Sequence, residues 1–291
     1  MTASDDPGGT AHDWGSICNT RDLSRYVPFV AGGFHLGWIH RTRVGLVRAE
    51  RVFTVLPDLV VLGEGLATPA QRTAAVAELA QRWRELGVVP GWRDELYDVV
   101  PYPGGPVVMR MERALTRLFG LINIGAHVNG YVRDGADVLM WVARRSPDKP
   151  TYPGLLDQMV AGGVIASMTP EAVARKEAWE EAGIGAGLIG PLRQTSAVTM
   201  FMEHGDVISR DFEHVFDLEL PADFVPRPVD AEVAGFELYP VDKLLDVVTG
   251  SAEFKPDCNL VVLDFLIRHD HLRAGDPLYQ QSVLGLRRGV L

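Results

Sequence analysis

The stretch GGVIASMTPEAVARKEAWEEAGI, residues 162–184, decides the interpretation of this 291-residue chain. Thr169 is a favourable N-cap and Pro170 suits the first helical position, so we expect a helix to begin there. Gly183 is expected to end it, because glycine readily adopts the left-handed conformation found after many helices. The sequence therefore predicts a helix that begins after Thr169 and ends at Gly183.

Three carboxylates share one face of this predicted helix, because Glu177, Glu180 and Glu181 are spaced i, i+3 and i+4. For stability alone this is unfavourable, since anions near a helix C-terminus oppose the helix dipole by roughly 0.3 to 1 kcal/mol each. Mg2+ binds carboxylate oxygens and would offset the repulsion. The alternative is a solvated acidic face, moderated by ion pairs such as Lys176 with Glu180.

The same stretch resembles the Nudix box, whose pattern is G-x5-E-x7-R-E-U-x-E-E-x-G-U with U an aliphatic residue. Gly162, the three glutamates, Gly183 and Ile184 agree with this pattern. Met168 stands where the family has its first Glu, and Lys176 stands where it has Arg. In the family, that Glu and Arg mainly brace the loop against the helix, and the later glutamates hold the metal. The resemblance therefore implies that the metal ligands are kept while the brace is changed.

The resemblance extends to Nudix proteins that carry an N-terminal DUF4743 region and are related to the front half of fungal thiamine pyrophosphokinase. It covers residues 26–272. It rests on four segments in order: GVVPGWRDELYDVV (87–100), MERALTRLFGLINIGAHVNGYV (111–132), WVARRSPDKPTYPGLLDQMVAGG (141–163) and LPADFVPRPVDAEVAGFEL (220–238). It implies a hydrolase acting on a diphosphate, with damaged or oxidised thiamine diphosphates as the substrate class.

Composition limits the classes of partner. The chain has 28 basic and 38 acidic residues, which give a net charge of -10, and it has no basic cluster; this argues against a nucleic acid. No apolar run approaches the roughly 20 residues that cross a bilayer, and the N-terminus lacks a signal-peptide segment. The cysteines Cys18 and Cys258 indicate packing residues in a reducing compartment. We therefore expect a cytoplasmic monomer or homodimer that binds a small-molecule diphosphate and neither nucleic acid nor membrane.

Two domains are expected between two tails. Residues 1–24 are acidic and polar, and they are predicted to form a loose tail. Residues 25–119 are predicted to form a smaller, DUF4743-like α+β domain, and residues 120–273 a Nudix domain. Residues 274–291 are predicted to form a partly ordered tail.

Periodicity and turn signals predict an α/β (α+β) fold. In the first domain a helix is expected to open at Thr68, and a second helix is expected over residues 107–119. In the second domain, residues 121–132 alternate apolar and polar side chains as a half-buried strand does, and helices are expected at 241–249 and 259–272. Strands around a helix, followed by more helices, predict a mixed sheet between helices. This agrees with the Nudix fold that the resemblance implies.

Diphosphate hydrolysis requires neutralised phosphate oxygens and an activated water, which assigns roles to these residues. The three glutamates are predicted to hold Mg2+ or Mn2+, and Glu177 and Glu181 are counted as catalytic. Gly162 is expected near the metal or phosphate, because glycine permits a close approach of the backbone. In the family, an acidic residue on a downstream loop serves as base or extra ligand. Glu232 is the candidate and Asp230 the second choice; the alternative is an exposed loop carboxylate.

Four further residues are predicted to bind substrate. Arg144 and Arg145 end a predicted strand, and their guanidinium groups suit phosphate oxygens. Surface ion pairs are the alternative for both. Trp92 and Arg93, together with Tyr97, are placed where they could contact a heteroaromatic ring at the crevice between the domains, and simple packing is the alternative.

Two other functions remain open at this point. The replacements at Met168 and Lys176 are compatible with a catalytically weakened diphosphate-binding regulatory protein. The segment 152–163, YPGLLDQMVAGG, faintly resembles the one before the box in isopentenyl-diphosphate isomerases. That chemistry uses a cysteine there, and Met159 and Val160 stand here instead. The leading hypothesis is therefore a Mg2+-dependent Nudix pyrophosphohydrolase.

Overall fold

Short strands, a hairpin and a long helix form the first part of the chain in the computed structural model, which describes residues 11–135, 137–229 and 231–289. The α-helices and strands of this part are α1 (Trp14–Ile17), β1 (Tyr26–Ala31), β2 (Phe34–His40), α2 (Val44–Arg48), β3 (Phe53–Leu56), β4 (Leu59–Leu62), α3 (Pro69–Glu85), β5 (Leu96–Val99), β6 (Met109–Glu112) and α4 (Arg113–Thr116). One sheet has the order β2-β1-β4-β3, and β5 pairs with β6 as a separate antiparallel hairpin. We call β1 through α4 the N-terminal domain.

Helix α3 packs against the sheet of this domain because its sequence has a clear start and an apolar face. The Thr68 hydroxyl accepts a hydrogen bond from the Gln71 amide, and the Gln71 side chain accepts one from the Thr68 amide, which makes a capping box. Trp83 of α3 is buried in one cluster with Phe29 of β1, and its ring stacks on that of Phe119 at 6.0 Å between centroids. The helix predicted to open at Thr68 is confirmed.

A larger mixed sheet forms the second domain. The elements from here to the C-terminus are β7 (Ile122–Asp134), β8 (Asp137–Arg145), β9 (Leu156–Gln158), β10 (Val160–Gly163), α5 (Pro170–Ala182), β11 (Arg193–His204), β12 (Val207–Glu219), β13 (Val233–Pro240), α6 (Val241–Gly250), α7 (Pro256–Arg268) and α8 (Pro277–Gly285). The strand order is β11-β12-β7-β8-β13, and β10 pairs with β7 while β9 pairs with β8. Strands β7 and β12 are parallel, and the other pairs are antiparallel.

Helices cover both faces of this sheet, as the side chains of β12 illustrate. Successive strand residues point to opposite faces. Val215 packs in a cluster with Phe265 of α7, whereas the next residue, Phe216, packs in a different cluster with Val173 of α5. The prediction of a mixed sheet between helices, with a smaller α+β domain before it, is confirmed.

Strand β2 of the N-terminal domain is bonded both to the segment that links the two domains and to β12 of the second domain. The Trp38 amide of β2 donates to the Phe119 carbonyl at 2.8 Å, and a Cβ atom on Gly37 would lie 2.1 Å from that oxygen. Arg210 of β12 is buried and donates to the Leu36 carbonyl at 2.8 Å. The segments that position the second domain are therefore tied directly to β2.

Residues 1–24 were predicted to be a loose tail, and this is wrong for the described residues 11–24. Trp14 of α1 is buried and its indole donates to the Val248 carbonyl at 2.6 Å. Cys18 is also buried, and both side chains lie in the core cluster that contains α7. The segment is polar overall, so its composition did not predict that Trp14 and Cys18 pack into this core.

The segment 274–291 is more ordered than predicted within its described part. Leu286, which follows α8, is buried, and its carbonyl accepts a hydrogen bond from the Thr199 amide of β11 at 2.9 Å. Helix α8 crosses α1 where a Cβ atom on Gly15 would lie 2.5 Å from the Cα of Gly285. Helices α1 and α8 therefore pack together on the second domain.

The helix predicted over residues 107–119 is wrong in type. The segment forms β6 and the short helix α4 instead. Met111 and Leu115 are buried as predicted, in the core of the N-terminal domain. Pairing with β5 overrides the helical spacing, because β6 satisfies its backbone groups across the hairpin.

Candidate functional site

Helix α5 begins and ends as its sequence predicts. The Thr169 hydroxyl accepts a hydrogen bond from the Ala172 amide at 3.1 Å, and Pro170 is in the first turn. Gly183 has a φ of 68°, which glycine adopts without strain, and its amide donates to the Trp179 carbonyl at 3.0 Å. The helix that carries the three glutamates is confirmed at both ends.

Two of these glutamates are turned toward β10. Glu181 is 6% exposed and accepts a hydrogen bond from the Ala161 amide at 2.9 Å. Burial raises the pKa of Glu181 to about 8, and the negative charge of Glu177 adds to the rise. Burial also raises the pKa of Glu177. Because their charged forms are poorly solvated, these carboxylates gain more from a bound cation than exposed ones would.

Gly162 gives the backbone of β10 room beside the same carboxylates. A Cβ atom at this position would lie 2.5 Å from Cγ and 2.9 Å from Cδ of Glu177. Any larger residue would displace that side chain. The glycine therefore permits a close approach between strand and helix, and its predicted place beside a metal or phosphate stays a prediction.

The exposed end of the cluster already holds a cation, the ammonium of Lys176. Its Nζ lies 3.1 Å from Oε1 of Glu177 and also donates to Oε2 of Glu180. Burial alone would lower the pKa of Lys176, but the two carboxylates outweigh burial and raise it. Carboxylate oxygens are the donors that a hard divalent ion such as Mg2+ or Mn2+ prefers, so the chemistry of these neighbouring residues fits the metal that the resemblance implies.

A further carboxylate, Glu232, is brought to the cluster immediately before β13. Lys149 donates a hydrogen bond to its Oε2. Burial would raise the pKa of Glu232, but Lys149 and the positive charges of Arg93 and Arg113 outweigh burial and lower it. Glu232 is near enough to Glu177 that its charge contributes, after burial, to the raised pKa of Glu177. The arrangement thus joins four carboxylates with basic groups from both domains.

Family models match both parts of the chain. The model described as a NUDIX domain matches residues 124–258, and the model of a domain of unknown function, DUF4743, matches residues 12–123. Nudix hydrolase 20, chloroplastic, of Arabidopsis thaliana is 37% identical over 282 residues, which cover 93% of this chain and 75% of that protein. This chain belongs to the Nudix hydrolase family. We call residues 164–168 the Nudix loop and α5 the Nudix helix.

Two more of the similar proteins illustrate the relationship. Nudix hydrolase 24, chloroplastic, also of Arabidopsis thaliana, is 37% identical over 270 residues, with 92% of this chain and 74% of that protein covered. A solved structure of DR0079 from Deinococcus radiodurans has a TM-score of 0.44 at 24% identity and covers 57% of this chain and 97% of that one. As a member of the Nudix hydrolase family, the chain is a hydrolase of pyrophosphate bonds.

The two arginines predicted to grip phosphate differ in their surroundings. Arg145 donates to the carbonyls of Tyr152 and Thr151 and to the Asp157 carboxylate at 2.6 to 3.0 Å, and it is largely buried. These bonds hold the loop between β8 and β9, so Arg145 is a structural residue here rather than the predicted phosphate contact. Arg144 donates to the Gly154 carbonyl at 3.0 Å and is 42% exposed. Its role toward substrate stays a prediction.

Trp92 and Arg93, which were predicted to bind substrate together, also differ in their surroundings. The Trp92 indole donates to Asp94 at 2.7 Å and lies under the Arg84 guanidinium, so its contacts are those of packing in the N-terminal domain. This corrects its predicted place in the interdomain crevice. Arg93 does lie near the carboxylates, because its charge contributes to the lowered pKa of Glu232. Asp230, the second choice for the base, lies outside the described residues.

Sequence reasoning missed three residues beside the Nudix helix: Lys149, Arg110 and Arg113. Lys149 binds Glu232, and Arg113 adds a positive charge near it. Arg110 donates to Ser167 of the Nudix loop at 2.9 Å. Lys149 and Arg113 lie within segments that carry the resemblance, which was the available signal, but nothing in their spacing pointed to the carboxylates.

A second group of ligand-type side chains lies under the site, around His127. His127, Glu213 and Asp257 bring ligand atoms within 4.8 Å of one another. Lys255 lies 3.0 Å from Asp257, so a protein cation already neutralises this group. We interpret it as a buried ion-pair network and not as a metal site.

Protonated His127 is expected to stabilise the fold. Burial alone would lower its pKa, but the Glu213 carboxylate at 3.5 Å outweighs burial and raises the pKa to about 9. This stabilisation is fully present below the ordinary pKa of 6.5 and is lost as the pH rises through about 9. We therefore expect the free energy of unfolding to fall by about 1 to 2 kcal/mol more from pH 7 to pH 9 in the native chain than in His127→Gln. Urea unfolding at both pH values measures the difference.

His214 supplies the matched control for this experiment. It lies on the neighbouring strand, and burial lowers its pKa, so it is neutral over the whole range. His214→Gln is expected to keep the native pH dependence between pH 7 and pH 9. Equal slopes for the native chain and His127→Gln would contradict the assignment of a protonated His127.

Proposed function

We propose that the chain is a Mg2+- or Mn2+-dependent pyrophosphohydrolase that cleaves a diphosphate linkage in a small molecule. The observation that carries this proposal is that the Nudix helix places its carboxylates beside β10: Glu177 lies against Gly162, Glu181 accepts a hydrogen bond from the Ala161 amide, and Glu180 is joined to Glu177 through Lys176. Neighbouring carboxylates at a close backbone approach supply the oxygen donors that suit a hard cation and, with it, a diphosphate.

Each carboxylate has a proposed role. Glu177, Glu180 and Glu181 would hold the metal, and Gly162 lies against Glu177. When bound, the metal neutralises charge on the phosphate oxygens and lowers the pKa of a water molecule. Glu232 is the proposed base or extra ligand, because it is a carboxylate on a loop beside Glu177 and its lowered pKa keeps it ionised at neutral pH. Glu177 and Glu181 orient the reacting groups from the buried side.

Basic side chains around Glu232 are the proposed contacts of the substrate phosphates. Lys149 lies on the loop after β8, while Arg93 and Arg113 come from the N-terminal domain. Positive charge from two sides suits a diphosphate, whose oxygens carry more charge than one metal ion neutralises. Arg144, which is partly exposed, remains a fourth candidate. The N-terminal domain would thus complete the substrate site.

Damaged or oxidised thiamine diphosphates are the proposed substrate class, supported by the resemblance to proteins related to the front half of fungal thiamine pyrophosphokinase. A nucleoside diphosphate linked to another group is the second choice of substrate. The cytoplasmic location and the monomeric or dimeric state also stay predictions. Within the described residues, no helix is both long and apolar enough to cross a membrane.

A hydrolysis screen tests the proposed function. Purified protein is incubated with Mg2+ and a panel of thiamine diphosphate, its oxidised forms, ADP-ribose, NADH, CoA and dinucleoside polyphosphates, and released phosphate or monophosphate is measured. We expect turnover of an oxidised thiamine diphosphate, complete loss of turnover with EDTA, and recovery when Mg2+ or Mn2+ is returned. Tight binding of a diphosphate without turnover would favour the regulatory protein instead.

A further inference from the structure

The Nudix loop is attached to the N-terminal domain, although it belongs to the second domain by sequence. We infer that the β5–β6 hairpin braces this loop and thereby fixes the metal-binding backbone, in place of the Glu and Arg that this chain lacks. The inference rests on the proposed metal site. It assigns the N-terminal domain a positioning role in catalysis through Leu96, Tyr97 and Arg110.

The chain lacks a polar brace within the box itself. Met168 packs its side chain among the apolar residues around Val173 and Ala174 of the Nudix helix. Lys176 is engaged with Glu177 and Glu180, which are the proposed metal ligands. Within the box, the loop therefore contacts the Nudix helix through the apolar packing of Met168. Other contacts must fix the orientation of the loop.

The first contact from the hairpin is a backbone hydrogen bond. The Ala166 amide in the middle of the loop donates to the Leu96 carbonyl at the start of β5, at 2.7 Å. On its other side the loop is held by the Val164 amide, which donates to the Ile124 carbonyl of β7 at 2.8 Å. The loop thus spans from one domain to the other, and loss of either bond would free a backbone donor.

The second contact is made by Arg110 of β6. Its Nη2 donates to the Ser167 hydroxyl at 2.9 Å, while its Nε donates to Asp98 of β5 at 2.9 Å. Asp98 thereby orients the guanidinium toward the loop. Ser167 has a φ of 71°, an unfavourable value for a residue other than glycine, so it needs an external contact to hold it.

The third contact is the packing of Tyr97 against Gly163. A Cβ atom on Gly163 would lie 1.7 Å from the Tyr97 hydroxyl oxygen, and Tyr97 is 5% exposed. The ring therefore sets the position of the residue that follows Gly162. All three contacts come from one hairpin. Two of them reach Ala166 and Ser167 of the Nudix loop, and the third reaches Gly163 just before it, so we assign the brace to the hairpin as a unit.

Two measurements on the full chain test the brace. Mn2+ affinity is determined by electron paramagnetic resonance, and hydrogen exchange of the Ala166 amide is determined without metal. We expect Arg110→Ala to weaken Mn2+ binding by about tenfold and to speed exchange at Ala166, because supports of metal ligands commonly act at this scale. Arg110→Lys, which keeps a donor for Ser167, is expected to recover part of both losses.

Ser167→Ala provides a second variant that leaves the hairpin intact. It removes only the acceptor of the Arg110 bond, so it is expected to weaken Mn2+ binding in the same direction. The double variant Arg110→Ala with Ser167→Ala is expected to bind Mn2+ no worse than about the weaker single variant, because both remove one shared interaction. Fully additive losses would overturn the coupling between the two residues.

Arg82→Ala is the matched control, since Arg82 also forms an exposed ion pair in the N-terminal domain, with Glu50 at 2.6 Å. If Arg110→Ala matches Arg82→Ala in Mn2+ affinity and in Ala166 exchange, the brace is refuted. Glu180→Gln separates the two proposals: it is expected to lose Mn2+ binding while Ala166 exchange stays slow. Unchanged Mn2+ binding in Glu180→Gln would instead overturn the metal site.

Discussion

Glu180→Gln is expected to lower kcat/KM for the preferred diphosphate by about a hundredfold to ten-thousandfold, with little change in stability. A metal ion contributes several kcal/mol of transition-state stabilisation, and each 1.36 kcal/mol corresponds to about a tenfold change in rate. Glu180 is 40% exposed and pairs with Lys176 at i, i+4, a contact worth only a few tenths of a kcal/mol. The change therefore removes a proposed metal ligand without opening a cavity.

Steady-state kinetics at several Mg2+ concentrations, together with the thermal midpoint, measure this effect. Glu171→Gln is the matched control, because Glu171 is on the first turn of the same helix and pairs with Arg175 at i, i+4. The control is expected to keep kcat/KM within about twofold, as exposed substitutions away from a site usually change little. Native activity in Glu180→Gln would mean that the Nudix helix does not hold the metal.

The local features of the Nudix helix were predictable because they depend on neighbouring residues. Thr169 caps the helix and Gly183 ends it in the left-handed conformation, and both follow from residue type alone. The spacing of the glutamates predicted that they share one face of the helix. Their unequal burial did not follow from spacing, since Glu181 is 6% exposed only because β10 passes over it. Sequence periodicity identifies a face but does not identify what covers that face.

Long-range contacts account for the errors. The position of Arg145 at a strand end predicted a phosphate contact. In the folded loop its guanidinium donates instead to Tyr152, Thr151 and Asp157. Trp92 likewise had no local signal for its contact with Arg84 of α3. Predictions that rest on a single residue type fail where tertiary partners satisfy that residue.

The changed box has a structural explanation that the sequence alone could not provide. Met168 and Lys176 replace the residues that brace the loop in the family, and this left the rigidity of the loop in doubt. The hairpin contacts lie more than fifty residues earlier in the chain, as with Arg110 and Ser167, which are separated by 57 positions. No short motif records a contact over that distance, so the part expected of the N-terminal domain was in substrate binding and not in bracing the loop.

Gly163→Ala is expected to cause the second large loss, lowering kcat by about a hundredfold, since a shift of roughly 1 Å in a positioning element can have this effect. The added methyl group would lie 1.7 Å from the Tyr97 hydroxyl oxygen and 2.8 Å from Cζ. Tyr97 is buried, with the Arg113 guanidinium 5.7 Å from its ring centre, so it cannot turn away freely. The loop must move instead, and overpacking is expected to lower stability by about 1 to 3 kcal/mol.

Tyr97→Phe combined with Gly163→Ala decides whether this clash is the cause. Removing the hydroxyl takes away the atom at 1.7 Å and leaves Cζ as the nearest neighbour, so the double variant is expected to recover part of the lost kcat and stability. Gly187→Ala, at a position with no atom within 4 Å of the added carbon, controls for the loss of backbone freedom. A double variant as impaired as Gly163→Ala would show that the hairpin does not press on the loop at this point. Recovery would instead tie the geometry of a metal site on the Nudix helix to a side chain of the other domain.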